Sequence, residues 1–211
     1  MIHVVTQENA HLFGDIMPSM YRLRYRAFIE RQDYNVSSIR KMEYDAYDTP
    51  AAVYLICREN TGVVGGCTRL SPTDRPYMIE DIWPELIEAN PIPKSESIWE
   101  ASRFCIDKGI APERRREIHL ELLCGMQEFG LQQKLNFMIG VMQPPIWKRI
   151  FINVGWPIEF LGDPKALDDR EKIIAGRMPI SEEILFKLRS KISFFDPVIV
   201  NSEDYFLQGA A

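Results

Sequence analysis

Residues 51–70 of this chain read AAVYLICRENTGVVGGCTRL and contain the signal that decides the fold. Two runs rich in β-branched and aromatic residues, AAVYLICRE and VVGGCTRL, flank the turn Asn60-Thr61-Gly62. Such runs on either side of a short glycine-containing turn are typical of a β-hairpin. The pattern therefore predicts two paired antiparallel strands.

Outward from this hairpin, strand and helix patterns alternate along the chain. Strands are predicted in MIHVVT, SIWEASRFCID, NFMIGVM, PIEFLG and EKIIAGRMPI, the last of these being the final strand. Helices are predicted over Ala10 to Arg31, weakly over Glu80 to Ala89, over Pro112 to Leu131, in PPIWKRIFINVGW up to Gly155, and in SEEILFKLRSK. This alternation indicates an α/β fold with a largely antiparallel first half. The polar stretch 32–50 is too long for an ordinary connection and suggests a functional loop.

Length and composition bound the class of protein. The chain has 211 residues, of which 46% are hydrophobic and 26% charged, as in ordinary globular proteins. We therefore expect one domain over residues 1–211. The 25 basic and 30 acidic residues give a net charge of -5, which argues against a nucleic-acid partner.

The cysteines and the hydropathy pattern bear on metals and location. Four cysteines lack any C-x-x-C pair and only three histidines accompany them, so we expect no metal site. The first residues show no signal-peptide pattern, and no apolar run approaches the roughly 20 residues of a membrane span. The expected location is the reducing cytoplasm, with the cysteines as thiols.

The polar stretch brings acidic and aromatic residues together. Asp45 and Asp48 lie three positions apart in it, and Arg24, Phe28 and Tyr34 precede it. Carboxylates and aromatic faces can together hold an ammonium or sulfonium group. The alternative is that the two aspartates only stabilise turns.

Three charged residues fall on strands that should be buried, namely Arg69, Glu100 and Arg103. A buried charge requires a partner, because removing that partner costs about 3–5 kcal/mol. These residues can therefore form either a site or sheet-end salt bridges. Within the run SIWEASRFCID, strand alternation places Glu100 and Arg103 on opposite faces. One face carries Ile98, Glu100, Ser102 and Phe104, and the other carries Trp99, Ala101, Arg103 and Cys105.

A basic run, Arg114-Arg115-Arg116, lies at the start of the predicted helix over Pro112 to Leu131. Helix amides and arginines at this end can hold an anion, or the run can be a solvated helix start. The pair Gly65-Gly66 lacks the G-x-G-x-x-G spacing, so no dinucleotide fold is predicted.

Together, Arg24, Phe28, Asp45, Asp48, Arg69, the loop SPTDRPYMI and the block WEASRFCID resemble the signature of the acyl-homoserine-lactone synthases, the autoinducer synthases of LuxI type. The resemblance extends to about Gly176. It implies a GNAT-like N-acyltransferase fold, a three-layer α/β/α sandwich with a mixed, mostly antiparallel central sheet.

The resemblance also implies a reaction. The amine of S-adenosylmethionine attacks an acyl thioester carried by acyl carrier protein or coenzyme A, and the product closes to a lactone with release of methylthioadenosine. This makes a quorum-sensing signal. Both substrates bind transiently, and no prosthetic group is implied.

The resemblance assigns roles to individual residues. The implied catalytic set is Glu100, Arg103, Asp45, Asp48 and Arg69, with Glu100 as the base that deprotonates the amine. A splayed or bulged strand near Phe104 would supply backbone donors to the tetrahedral oxyanion. The implied S-adenosylmethionine contacts are Arg24, Phe28, Tyr34 and Phe104. Two positions depart from the family: Tyr34 replaces its usual Trp, and Trp83 its usual Phe.

Two further sets of residues are assigned to the acyl chain and to the carrier protein. An apolar slot for the acyl chain is expected along NFMIGVM, lined by Trp99, Met142, Ile146 and Trp147, although the same residues can be ordinary core. An acidic carrier protein would dock on Arg114, Arg115, Arg116, Lys148 and Arg149.

Two rival functions stay open from the sequence. One is an acetyl-coenzyme A dependent N-acetyltransferase, but residues 105–116 lack the pyrophosphate loop that it requires. The other is a non-catalytic ligand-binding relative that retains the fold.

Overall fold

The structure is a computed structural model that describes residues 1–88, 92–168 and 171–200. Its strands are β1 Ile2–Val5, β2 Ser38–Ile39, β3 Met42–Glu43, β4 Val53–Arg58, β5 Val64–Pro72, β6 Ile98–Ile106, β7 Phe137–Met142, β8 Glu159–Phe160, β9 Lys165–Ala166, β10 Lys172–Pro179 and β11 Ile199–Val200. Its helices are α1 Ile16–Arg24, α2 Met78–Ile82, α3 Pro112–Gln132, α4 Pro144–Ile150 and α5 Glu182–Ile192. Short 3-10 turns cover Ala10–Phe13, Pro84–Leu86 and Ile152–Val154.

The predicted hairpin is confirmed as β4 and β5, and the structure corrects three other boundaries. The predicted helix over Ala10 to Arg31 is divided into a 3-10 turn, α1 and a π-helical turn, Tyr25–Glu30. The weak helix predicted from Glu80 becomes α2 and a separate 3-10 turn, because Pro84 has no N–H to continue the first helix; Ala89 lies outside the described residues. Strand β11 follows EKIIAGRMPI, which is therefore not the final strand.

The chain forms two compact units. The first contains residues 1–70, 103–126 and the described residues from 196 onward; the second contains residues 71–102 and 127–195. The single-domain organisation over residues 1–211 stays a prediction.

The first unit packs helices on both faces of a sheet. Strand β4 pairs antiparallel with both β1 and β5, and β11 pairs parallel with β1. Met20 of α1 packs with Ile56 on one face. On the other face α3 comes so close that a Cβ on Gly66 would lie 2.8 Å from Ile118 Cγ2. Only glycine leaves room for this approach, and the unit has three layers.

The second unit has a mixed sheet. Strands β6 and β7 run parallel, with Ile98 opposite Phe137 and Glu100 opposite Ile139, and β10 pairs antiparallel with β7. Strands β8 and β9 pair with β10. Trp83, where the resemblance implies Phe, packs against the apolar core of this unit.

Strand β6 contains one residue more than its neighbour β5. The Thr73 N–H donates to the Ile98 carbonyl at 3.1 Å, and the Asp107 N–H donates to the Gly65 carbonyl at 2.9 Å. Between these two hydrogen bonds β5 advances eight residues and β6 nine. Arg103 has a φ of 55°, which places the extra residue there as a β-bulge.

The bulge reverses the side-chain alternation of β6. Trp99 and Phe104 are five positions apart, yet both rings contact helix α3. Glu100 and Arg103 therefore both point to the face of β6 away from α3. The expectation that these two charges face opposite directions is wrong, because simple alternation does not anticipate an extra residue.

No disulfide joins the four cysteines. Among the described residues, no group of three or more His, Cys, Asp or Glu side chains is placed to hold a metal ion. Within the same residues, no helix combines the length and the apolar character that crossing a bilayer requires.

Candidate functional site

Six charged side chains of the first unit form a connected group, called here the ionic cluster. They come from the end of α1, the polar stretch that follows β3, and the strands β3, β5 and β6. Three positive and three negative charges balance. The members of the ionic cluster are Arg24, Arg69, Arg103, Glu43, Asp45 and Asp48.

Arg24 is the buried centre of the ionic cluster. Its Nε donates to Glu43 Oε2 at 2.5 Å, and its Nη1 and Nη2 donate to the two oxygens of Asp48 at 2.6 and 2.9 Å. Two-pronged bonds of this kind are the strongest that arginine makes with a carboxylate. Both Arg24 and Glu43 are fully buried, so this pairing offsets the cost of desolvating them.

Arg69 and Arg103 connect the remaining carboxylates. Arg69 Nη1 lies 2.5 Å from Asp45 Oδ1 and 3.2 Å from Asp48 Oδ1. Arg103 donates to Asp45 Oδ2 at 2.6 Å and to Glu43 Oε1 at 3.0 Å. The side chains of Arg103 and Asp45 are 14% and 16% exposed, whereas that of Arg69 is completely buried. A ligand can therefore reach the ionic cluster on the side of Asp45 and Arg103.

The two aspartates also order their own loop. Asp48 Oδ2 accepts a hydrogen bond from the Asp45 N–H at 2.7 Å, and Asp45 Oδ1 accepts one from the Tyr47 N–H at 2.8 Å. These are the local bonds that the turn interpretation predicts. The same carboxylates bind the arginines, so turn formation and participation in the cluster are compatible.

The surroundings of Asp48 shift its ionisation and that of its neighbour. Burial alone would raise the pKa of Asp48, but hydrogen bonds and charge from Arg24 lower it to about 2. Tyr54 donates its hydroxyl to Asp48 Oδ1 at 2.7 Å. Burial and the Asp48 charge raise the pKa of Tyr54, so its hydroxyl stays a neutral donor.

We expect the contribution of Asp48 to stability to disappear in acid. Its pKa in the folded state lies below the unfolded value of 3.8, so the ionised form stabilises the fold above about pH 4, and this is lost as the pH falls toward 2. In urea unfolding, the stability difference between the parent and Asp48→Asn should shrink by about 1 kcal/mol between pH 5.5 and pH 3. A difference that stays constant over this range would contradict the assigned pKa.

Aromatic rings stand beside the arginines of the ionic cluster. Phe28 and Tyr34 stack with their centroids 6.3 Å apart and their planes inclined by 12°. The Arg103 guanidinium carbon lies 5.5 Å from the Phe28 centroid, and that of Arg69 lies 5.8 Å from the Tyr47 centroid. The predicted residues Arg24, Phe28 and Tyr34 are thus brought together with the acids.

Phe104 is separated from this group. Its ring contacts His119 of α3 at a centroid distance of 6.1 Å, on the face of β6 opposite to Arg103. Only the backbone of Phe104 is available to a ligand on the side of the ionic cluster. The role of Phe104 as a contact of S-adenosylmethionine stays a prediction.

Glu100 lies in the second unit, on β6, three positions before Arg103. Its carboxylate is fully buried, and Oε2 accepts a hydrogen bond from the Ile79 N–H in α2 at 2.8 Å. Nearby, burial and the charges of Glu80 and Glu100 raise the pKa of Tyr77. Glu100 is therefore an acceptor held in one orientation by a backbone group.

The register of β6 and β7 separates Glu100 from the predicted acyl lining. Glu100 pairs with Ile139, whereas Trp99 pairs with Met138 on the other face. Trp147 also packs on that other face, where a Cβ on Gly176 would lie 2.9 Å from its ring. Trp99 and Trp147 thus lie on the face opposite to Glu100, while Met142 and Ile146 are half-buried.

A different apolar set shares the face of Glu100. Strand alternation from Ile139 and the packing of α2 place it there. All seven members are buried and pack together: Tyr77, Ile79, Leu86, Ile87, Ile139, Ile173 and Ala175. Lining by Trp99, Met142, Ile146 and Trp147 stays a prediction.

The residues predicted to dock a carrier protein differ in their exposure and in their pairing with acids. Arg114 binds three acids, Glu59, Glu117 and Glu121, and their hydrogen bonds raise its pKa despite partial burial. Its charge is therefore balanced within the first unit. Arg115 is half-buried and donates to the Lys108 carbonyl at 3.4 Å. The exposed members of the set are Arg116, Lys148 and Arg149.

Glu43 was not among the predicted site residues, although it touches two arginines. Three arginines against two loop aspartates would leave one positive charge without an acid. Glu43 lies two positions before Asp45 in the same polar stretch, so charge balance was the signal that could have found it.

Comparison with known proteins identifies the family of this chain. The model of the autoinducer synthases matches residues 9–188. The isovaleryl-homoserine lactone synthase of Bradyrhizobium diazoefficiens is 31% identical over 206 residues, which cover 96% of this chain and 90% of that protein. The acyl-homoserine-lactone synthase of Vibrio anguillarum is 31% identical over 167 residues, or 78% and 86% of the two chains.

Solved structures agree with the sequence comparison. A CoA-dependent acyl-homoserine lactone synthase, solved with SAM and isopentyl-CoA, superposes with a TM-score of 0.85 at 29% identity and covers 95% of this chain and 92% of its own. A putative N-acetyltransferase from Lactobacillus plantarum has a TM-score of 0.54 at 14% identity over 85% and 99% of the two chains, which shows only the shared GNAT-like fold. The chain therefore belongs to the autoinducer synthase family.

Proposed function

We propose that this protein is an acyl-homoserine-lactone synthase, an acyltransferase that joins an acyl group to the amine of S-adenosylmethionine and then closes the lactone. The observation that carries this proposal is the balanced ionic cluster beside the stacked rings of Phe28 and Tyr34. Family membership supports the same activity. The acetyltransferase alternative is not favoured, because residues 105–116 lack a pyrophosphate loop and Arg114 is bound to acids.

The ionic cluster suits the charges of S-adenosylmethionine. This substrate carries an ammonium, a carboxylate and a sulfonium group. Asp45 and Arg103 are the more exposed members and offer one partner each for the ammonium and the carboxylate. The faces of Phe28 and Tyr34 attract the sulfonium.

Glu100 is the proposed base for acyl transfer. It takes a proton from the ammonium, directly or through water, and the freed amine attacks the thioester carbon. The C–N bond forms, the C–S bond breaks, and the thiol leaves with a proton. The bulge at Arg103 turns the local backbone, and peptide N–H groups near Phe104 are the proposed donors to the oxyanion.

Lactone formation needs no further catalytic group. A carboxylate oxygen of the acylated intermediate attacks the carbon next to the sulfonium, and the carbon–sulfur bond breaks to release methylthioadenosine. The ionic cluster favours this step by holding the folded conformer of the chain.

A coenzyme A thioester is the proposed acyl donor. One similar enzyme was solved with isopentyl-CoA, and one relative is named for an isovaleryl product. If acyl carrier protein serves instead, the exposed Arg116, Lys148 and Arg149 are its proposed contacts.

We also propose a cytoplasmic location. Both proposed substrates are products of central metabolism inside the cell.

The test is a product assay. The purified protein is incubated with S-adenosylmethionine and a panel of acyl-CoA and acyl-carrier-protein thioesters, and methylthioadenosine and lactone are measured by mass spectrometry. We expect both products, in equal amounts, with a subset of the thioesters; a control without thioester corrects for spontaneous breakdown. Binding of S-adenosylmethionine without either product would indicate a ligand-binding relative, and acylation of another amine would indicate an acetyltransferase.

A further inference from the structure

Helix α5 packs one face into the second unit and presents the other to solvent. Its inner side chains, Ile184, Leu185 and Leu188, are buried. The opposite side, called here the outer face, carries two exposed residues from each turn: Glu182, Glu183, Phe186, Lys187, Ser190 and Lys191. Phe186 lies at its centre and is 63% exposed, so the largest side chain of the outer face is not used in the core.

Phe186 belongs to an apolar patch beside an open groove. Its ring contacts that of Phe195 at a centroid distance of 5.9 Å, and Phe195 is itself 54% exposed. Next to Phe186, the outer face together with Val154 and Gly155 encloses a groove of about 340 Å³. A cavity of about 150 Å³ already holds a benzene ring, so the groove can accept an aromatic side chain. Apolar surface bordered by charged residues is typical of a contact with another protein.

The charges of the outer face indicate the chemistry of the partner. Glu182 and Glu183 lie in the first turn of α5, and Lys187 and Lys191 lie in its second half. A partner that is acidic throughout, or basic throughout, would meet like charges on one half of this face, which lowers affinity. The partner must therefore be basic opposite Glu182 and acidic opposite Lys191.

A second copy of α5 has this pattern when the two helices run antiparallel. The outer face is centred between Phe186 and Lys187, and a two-fold axis at this point places Glu182 of each copy opposite Lys191 of the other. Phe186 of one copy then lies opposite Lys187 of the other, whose methylene stem can cover the ring while its ammonium stays in water. A parallel arrangement would instead bring the two Glu182 carboxylates together.

We propose that this protein forms a two-fold symmetric dimer through the outer face of α5, with Phe186 of each copy in the groove of the other. The proposal does not depend on the catalytic activity. One helix per copy gives a small interface, so we expect a dissociation constant of about 10–100 µM.

The experiment measures association of the full-length chain by sedimentation velocity between about 1 and 200 µM, over which the parent should change from monomer to dimer. Glu182→Lys and Lys191→Glu should each weaken the dimer at least about 10-fold, because each places two like-charge pairs in the contact. An equimolar mixture of these two variants should form a heterodimer within about 3-fold of the parent affinity, since each copy then supplies the charges that the other requires. A misfolded variant would not be rescued by mixing.

Two further variants complete the test. Phe186→Ala should weaken the dimer at least about 10-fold, as expected for the central aromatic residue of an interface. Glu113→Lys is the matched control, because Glu113 is also exposed in the first turn of a helix, α3, and makes the same change of charge. It should leave the dissociation constant within about 2-fold of the parent.

Three results would overturn the proposal. The first is a parent that stays monomeric at about 200 µM, as expected if residues 201–211 or a different protein cover the outer face. The second is a dimer that Phe186→Ala leaves unchanged, since the contact would then lie elsewhere. The third is weakening by Glu182→Lys and Lys191→Glu without restoration on mixing, which would exclude the antiparallel pairing of α5 with α5.

Discussion

Replacing Glu100 with glutamine should lower kcat by about 100- to 10,000-fold, the range expected for loss of a general base. Glutamine keeps the shape of the side chain and an oxygen that can accept from the Ile79 N–H, so the local fold should persist. It cannot take a proton from the ammonium of S-adenosylmethionine. The dissociation constant for S-adenosylmethionine, measured by calorimetry, should change by no more than about 3-fold, because the ionic cluster proposed to bind it is intact.

The control for this variant is Glu96→Gln. Glu96 is exposed just before β6, and its neutralisation alters the same net charge without touching the proposed site. It should leave kcat within about 2-fold of the parent. If Glu100→Gln weakens binding of S-adenosylmethionine as much as it lowers kcat, Glu100 is a binding residue and not the base.

The second large effect is on stability. Glu43→Gln should lower the free energy of unfolding by about 3–5 kcal/mol, because it removes one charge from a fully buried group that contacts two arginines. One positive charge of Arg24 and Arg103 would then have no carboxylate to balance it. Urea unfolding at pH 7 measures the change. If the loss of stability exceeds the stability of the parent, the variant will show no cooperative unfolding.

Glu113→Gln provides the comparison for Glu43. Its side chain is 75% exposed and lies 3.6 Å from Arg116, and exposed pairs contribute little. Its effect on unfolding should be within about 0.5 kcal/mol. A similarly small effect of Glu43→Gln would show that charge balance does not hold the ionic cluster together.

Much of this site was predictable from local patterns. The hairpin of β4 and β5 followed from its β-rich runs and turn, and the need of Arg69 and Arg103 for acidic partners followed from the cost of burying a charge alone. The loop acids are close in sequence, so short-range spacing already brought them together.

Two misses have separate physical causes. The face on which Arg103 lies depends on the bulge in β6. One inserted residue exchanges the faces of every later side chain in the strand. Glu43 was missed because the acids of the polar stretch were not balanced against the three arginines.

The sequence by itself determined the α/β class, the strong strands and helices, and the family, because each depends on hydrophobic periodicity or on motif order along the chain. Only the tertiary structure decided which side chains face one another: Glu100 with the apolar set around Ile139, and Arg103 with Glu43. These relations are set by strand register and by the balance of buried charges. Both are properties of residues distant in the chain, and local periodicity carries no information about them.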